Sequence, residues 1–182
     1  MRLETPRLVL REPRAEDAVA FSEIWRDPET TRFVGGAKAR DEVDAMVARM
    51  VEHWNRYGVG LFTIERKEDD RVLGRVGLLL WDPGRWVSGF HATLEGAVET
   101  EVGWTLGREH WGRGYATEGA LASRDWAFRQ LRLTRLISLI ALENAASIRV
   151  AEKIGESFER HVEDGPFRHA VGLWSVGARM DA

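Results

Sequence analysis

The stretch Glu109-His110-Trp111-Gly112-Arg113-Gly114-Tyr115-Ala116-Thr117-Glu118 joins a strand-like run, Val98 to Leu106, to a helix-like run, Tyr115 to Leu131. Two glycines one residue apart let a backbone turn sharply and pass close to a ligand. The first N–H groups of the following helix have no partner inside it. Strand, glycine turn and helix start together predict an anion cradle, best suited to a phosphate or pyrophosphate. Two familiar phosphate loops do not fit. A P-loop needs Lys and Ser/Thr after its last Gly, where this chain has Tyr115-Ala116. A dinucleotide fingerprint needs a third small residue and a place near the start of a βαβ fold, whereas this turn lies past the middle of the chain.

The rest of the sequence supplies elements around that turn. Arg7 to Arg11 alternates like a short strand, and Pro13 ends it. Glu16 to Arg26 reads as a helix stopped by Asp27-Pro28. Val43, Met46, Val47, Met50, Val51 and Trp54 form a helical stripe over Asp41 to Tyr57, closed by Gly58. Gly60 to Glu65 and Val72 to Leu80 predict a hairpin about the charged turn Lys67 to Asp70. Asp82 to Gly96 is a long loop, a length that is often functional. In Val98 to Leu106, the residues Val98, Val102, Trp104 and Leu106 share one face, and Glu99, Glu101, Gly103 and Thr105 the other. Small residues at Ala116, Ala120, Ser123 and Ala127 allow the next helix to pack closely on a sheet. Arg135 to Leu142 is the apolar run of a central strand. Asn144 caps a helix to Ile154 that Gly155 stops, and Phe158 to Glu163 and Arg168 to Arg179 read as closing strands. The order is βααβββαβαββ, an α/β fold with a mixed sheet.

With 182 residues, 44% hydrophobic and 30% charged, the chain is expected to form one domain over residues 1–182. A net charge of −3 and no Lys/Arg block argue against nucleic acid as a partner. The start, Met1 to Pro6, lacks the apolar core of a signal peptide, and the longest apolar run is too short to span a bilayer. A cytoplasmic protein without a membrane partner is the expectation. There is no cysteine, which excludes disulfides, thiolate metal sites and a cysteine nucleophile. His53, His91, His110, His161 and His169 show no metal-ligand spacing, so no metal is expected. The eight tryptophans are expected in the core or in pocket walls.

Four segments resemble GNAT-superfamily N-acetyltransferases, in particular the branch of the Rim-type ribosomal-protein alanine acetyltransferases. They are Thr5-Pro6-Arg7-Leu8-Val9-Leu10-Arg11, Glu101-Val102-Gly103-Trp104-Thr105-Leu106, Trp111 to Glu118, and Asn144-Ala145-Ala146-Ser147 followed by Glu152-Lys153-Ile154-Gly155. The resemblance implies a mostly antiparallel mixed sheet flanked by helices. It implies acetyl-CoA as co-substrate, held by Trp104, Leu106, Trp111, Gly112, Arg113, Gly114, Tyr115, Ala116, Thr117, Asn144 and Ser147. Two positions depart from the family. Glu109 stands where many members have Gln or Arg, and Ala151 where many place a tyrosine acid on the last helix. Ser147, one turn earlier, is the replacement that the Rim-type relatives suggest.

Acetyl transfer to an amine needs a neutral nucleophile, a polarised thioester and a stabilised leaving thiolate. Without cysteine there is no cysteinyl acyl-enzyme, so direct attack in a ternary complex is favoured. Glu101 is the candidate base acting through a water, with Glu99, His91 and His110 as rivals. Backbone N–H groups near Trp104 are candidates to hold the thioester oxygen, and Ser147 to donate to the thiolate. The expected acceptor is a protein N-terminal amine. A small amine such as a polyamine or aminoglycoside, or a non-catalytic acyl-CoA-binding role, are the alternatives. Monomer and homodimer are both open.

Overall fold

The computed structural model describes residues 1–162 and 167–178. The strands are β1 (Arg2–Glu4), β2 (Leu8–Arg11), β3 (Leu61–Arg66), β4 (Val72–Asp82), β5 (Val87–Ser88), β6 (Glu99–Leu106), β7 (Arg135–Ala141), β8 (Ser157–Val162) and β9 (Val171–Gly177). The helices are α1 (Ala18–Trp25), α2 (Pro28–Thr31), α3 (Arg40–Tyr57), α4 (Tyr115–Arg129) and α5 (Ala145–Lys153). The sheet runs β1-β2-β3-β4-β6-β7-β9-β8, with β5 beside β4. Every junction is antiparallel except β6–β7, which is parallel. This is the mixed, mostly antiparallel sheet expected from the sequence.

Three elements were not anticipated. β1 is a three-residue edge strand of charged and half-buried residues, with no apolar alternation to reveal it. Asp27-Pro28 does end α1, but it also starts α2: the Asp27 side chain accepts from Glu29 N–H, and Pro28 occupies the first helical position. β5 is a two-residue strand inside the predicted loop. The predicted strand ends at Glu163 and Arg179 lie outside the described residues.

The helices divide between the sheet faces according to side-chain size. The stripe of α3 (Val43, Met46, Val47, Met50) and the α1 side chains Phe21 and Trp25 form one core against Leu61 and Val72. On the other face α4 lies close. Ala120, Ser123 and Ala127 are fully buried, and a Cβ on Gly119 would come to 3.0 Å from Val76 Cγ1. The indoles Trp25, Trp54, Trp86, Trp126 and Trp174 are buried, while Trp111 stays 47% exposed. Burial of a large indole removes on the order of 150–250 Å² from water, so these side chains are major contributors to both cores.

One junction of the sheet is incomplete. β6 and β7 pair only at Glu101 and Ile137. Beyond it, at the C-terminal ends of both strands, there is no ladder. A parallel pair that separates in this way leaves a crevice at the carboxyl ends of its strands, where open α/β sheets place ligands.

Candidate active site

The gap between β6 and β7 opens a cavity lined from both faces of the sheet. Phe33, Val34, Arg75, Leu79 and Glu101 line it on the α1–α3 side, and Asn144, the cap of α5, and Ser147 within α5 on the other. Val102 to Thr105 and Ser138 to Ala141 form its strand walls. The gap is spanned near its vertex by Ser138, whose hydroxyl donates to the Val102 carbonyl at 2.7 Å. Leu106, two steps of alternation further along, offers its carbonyl to Trp111 Nε1–H at 2.8 Å. Backbone groups alternate along a strand, so the N–H and C=O of Trp104 share that edge and face the gap.

Glu101 lines the cavity on the α1–α3 side. Its Oε2 accepts from Trp81 Nε1–H at 2.5 Å and its Oε1 from Leu139 N–H at 3.5 Å. Burial pushes its pKa up to about 7, against the lowering effect of those two donors and of the Arg75 charge. The rivals lie elsewhere. Glu99 is tied to Arg135 at 3.3 Å at the start of β6. His91 lines a separate pocket with Arg49, Glu52, His53 and Arg56. His110 is 3% exposed, has no hydrogen-bond partner on either ring nitrogen among the described residues, and has its pKa lowered by burial.

Behind Ser138 sits a second carboxyl that the sequence did not suggest. Glu156 is 4% exposed, with Oε1 3.1 Å from Ser138 Oγ and Oε2 without a partner among the described residues. Burial, first, and the Glu101 charge, last, raise its pKa to about 8, against the Ser138 contact. The Ser138 hydroxyl has one proton for two acceptors, the Val102 carbonyl at 2.7 Å and Glu156 Oε1 at 3.1 Å. The Glu156 contact is therefore satisfied best when Glu156 is protonated and donates.

The glycine turn has the geometry of a cradle. Gly112 and Gly114 both adopt positive φ, 73° and 79°, and a Cβ at Gly112 would meet nothing within 4 Å. None of the backbone N–H groups from Gly112 to Thr117 has a partner among the described residues, the first being that of Glu118 to Gly114. Arg113, Tyr115, Ala116 and Thr117 thus lie in one run of free donors at the start of α4. The turn is held from behind by the opening strand. Thr5 Oγ1 and the Arg7 N–H donate to Glu118 Oε1, at 2.6 and 2.9 Å. Arg7 Nε pairs with Glu118 Oε2 at 2.6 Å, and its Nη1 donates to the Arg113 carbonyl at 2.9 Å. The same guanidinium lies 4.6 Å above the Tyr115 ring. Two of the segments that carry the family resemblance are thus one structural unit.

Not every expected residue reaches the cavity. Asn144 and Ser147 do, with Asn144 Oδ1 accepting from Ser147 N–H at 3.1 Å. Trp104 lines it as well. Leu106 is 5% exposed in the α4 core and does not line it. Ala151 is fully buried against Ile140 and Trp174, so a tyrosine there would displace the core rather than enter the cleft. Arg75, Trp81, Ser138 and Glu156 were missed. The one sequence signal among them was a lone cation, Arg75, within the otherwise apolar strand Val72 to Leu80. Among the described residues no group of three or more His, Cys, Asp or Glu could hold a metal ion. No described helix is long and apolar enough to cross a membrane.

The chain as a whole is similar to known proteins. The family model described as an acetyltransferase (GNAT) domain matches residues 7–157. An uncharacterised N-acetyltransferase, p20, of Bacillus licheniformis is 32% identical over 87% of this chain and 82% of its own. The crystal structure of an acetyltransferase from Agrobacterium tumefaciens str. C58 superposes with a TM-score of 0.77 at 28% identity, covering 97% of this chain and 94% of that one. RimL, a ribosomal L7/L12 α-N-protein acetyltransferase in complex with coenzyme A, shares the fold at a TM-score of 0.75 and 13% identity over 97% of this chain and 98% of its own. The sheet, the split strands and these matches agree: the chain belongs to the GNAT acetyltransferase family and is an acetyltransferase.

Proposed function

We propose that the chain moves the acetyl group of acetyl-CoA to a primary amine by direct attack in a ternary complex, with an α-amine at a protein N-terminus as acceptor. The observation that carries this reading is Glu101, a carboxylate with its pKa raised to about 7 at the acceptor side of the split between β6 and β7. The residues fit acetyl-CoA, whose thioester is the activated acyl donor of this family. The free N–H run from Gly112 to Thr117 suits its pyrophosphate, and the gap walls of β6 and β7 suit its extended arm. In this reading Glu101 takes a proton from the bound ammonium, directly or through a water. The Trp104 N–H polarises the acyl oxygen, and Ser147 donates to the departing sulfur. Asn144 keeps Ser147 in place by capping α5.

The raised Glu101 favours an α-amine over lysine. An α-ammonium has a pKa of about 7.7–8.0, roughly one unit above this carboxylate, whereas lysine at about 10.4 lies more than three units above it. The uphill proton transfer is therefore smaller for the α-amine than for lysine by roughly 3 kcal/mol. The resemblance to the Rim-type branch, and the name of the RimL fold neighbour, point the same way. CoA release with peptides bearing free Ala or Ser N-termini, against polyamines and aminoglycosides, tests this. The peptides are expected to be the better acceptors. Preference for a polyamine or aminoglycoside would assign a small-amine acetyltransferase, and binding of acetyl-CoA with no turnover of any amine would assign a non-catalytic role.

A further inference from the structure

Across the cavity from Glu101 stands a cation without an ionic partner. Arg75 lines the same cavity, yet its guanidinium has no hydrogen bond and no ion pair among the described residues. It is held in place by aromatic rings instead, 4.8 Å from the Trp25 ring centroid and 6.0 Å from that of Phe90. Arg49 lies 5.5 Å from the same Phe90 ring. Lys38, Arg49 and Arg75 all act on the His91 ring as nearby positive charges. Among the residues that line the cavity, Arg75 is the cation and Glu101 the acid, with the Arg49 charge close enough to act on Arg75.

A guanidinium offers five N–H donors in a fixed fork that matches a carboxylate in bidentate fashion. Arg75 is half-buried, so these donors remain open to a ligand that enters the cavity. Glu101 attracts Arg75 only at a distance, and its oxygens are taken by Trp81 and Leu139. The strand register shows what separates the two. Arg75 pairs with Thr105, Gly77 with Gly103, and Leu79 with Glu101. The positions between Arg75 and Glu101 therefore present a floor of two facing glycines. Gly103 has the Glu101 carboxylate directly above it, 3.5 Å from where a Cβ would lie. Four residue steps along β4 are about 13 Å between Cα atoms. The Glu101 carboxylate leans over Gly103, so the space left between the two charged groups is shorter than that span.

From this geometry we infer that Arg75 is a specificity-determining residue that binds a carboxylate of the acceptor, so that the preferred acceptor is an α-amine with a carboxylate no more than one residue away. Glu101 receives the amine end and Arg75 the acid end of the same molecule. The inference rests on the amine-acetyltransferase reading above and narrows it. Such a carboxylate has two sources, the α-carboxylate of a free amino acid or the side chain of an acidic second residue in a peptide. Polycationic acceptors meet Arg75, with the Arg49 charge nearby, and are rejected by these charges.

The test is a set of matched acceptors assayed by CoA release and, in parallel, by calorimetric binding to the CoA complex. One arm compares free serine and alanine with their amides. The other compares Ser-Glu and Ala-Asp peptides, amidated at the C-terminus, with Ser-Gln and Ala-Asn peptides, and spermidine serves as the cationic control. We expect kcat/KM for the carboxylate member of one arm to exceed its neutral match by roughly 10- to 100-fold, the range of a charge-assisted hydrogen-bonded pair. Arg75→Met should abolish that ratio and leave the KM for acetyl-CoA unchanged, and Arg75→Lys should keep part of it. Thermal melting of both variants confirms that they fold. Equal use of neutral and anionic acceptors, better use of spermidine, or an undiminished ratio in both Arg75 variants overturns the assignment while leaving acetyl transfer intact. If acetyl-CoA binds and no amine is turned over, the acetyl-transfer reading falls. The calorimetric arm then decides Arg75 by itself, and absence of carboxylate-dependent binding overturns it.

Discussion

At the scale of single residues, two carboxyl groups on either side of the split strands have been moved toward neutrality by burial. Glu101 titrates near pH 7 and Glu156 near pH 8. For both, the folded state holds its proton more tightly than the unfolded chain, whose glutamates titrate near the ordinary value of 4.5. The stability this contributes is fully present below that value and is lost as pH rises through 7 to 8. Glu156→Gln keeps a donor for Ser138 and cannot ionise. It is therefore expected to melt close to wild type at pH 5 and at least about 3 °C higher at pH 9, by the usual relation between stability and melting temperature for this chain length. Parallel melting curves for the two proteins at pH 5 and pH 9 would contradict the protonated Glu156. Ser147→Ala tests a smaller effect. A CoA thiol has a reference pKa of about 8.5, so its thiolate is a fair leaving group and help from Ser147 is expected to be worth roughly 10- to 100-fold in kcat. Full activity in that variant, with chemistry rate-limiting, would reduce Ser147 to a helix residue capped by Asn144.

Among the elements, the turn from β6 into α4 carries the most testable structure. Positive φ at Gly114 disfavours any side chain, most of all a β-branched one. Gly114→Val is expected to weaken coenzyme A binding at least 10-fold by calorimetry, and unchanged affinity in a folded variant would remove the cradle from the account. Arg7 offers a milder probe, because it braces the turn without lying in the free-donor run. Arg7→Ala breaks the contacts to Glu118, the Arg113 carbonyl and the Tyr115 ring. It is expected to raise the dissociation constant for coenzyme A several-fold, with kcat at saturation nearly unchanged.

The same scale explains what could be read from the sequence. The α3 stripe, the alternation of β6, the glycine stop at Gly58 and the turn before α4 are local patterns, and each appeared within a residue or two of its predicted place. β1, α2 and β5 are two to four residues long and carry no period to detect. The site divides along the same line. Glu101, Asn144, Ser147 and the glycine turn sit in contiguous motifs. Arg75, Trp81, Ser138 and Glu156 enter only through strand register and packing between distant segments. Arg75 shares a sheet face with Glu101 because β4 pairs with β6 in a register that sets them four residues apart, a relation that no window of sequence displays.

The whole molecule places its parts by one interruption. An otherwise continuous sheet parts between β6 and β7, and the gap connects the α4–α5 face, with its free N–H donors, to the α1–α3 face, with its cations and Glu101. Donor and acceptor can then approach one reaction centre from opposite sides of the sheet, which suits direct transfer and requires no acyl-enzyme. The most direct test of this arrangement is the pH dependence of kcat with an N-terminal amine acceptor, in wild type and in Glu101→Gln, at saturating acetyl-CoA. A base must be ionised to act, so wild-type kcat is expected to rise with pH through a midpoint near 7. In Glu101→Gln that limb should vanish and kcat at pH 8 should fall by about 100-fold or more, with acetyl-CoA affinity retained. A wild-type rate and pH profile in Glu101→Gln would contradict the account.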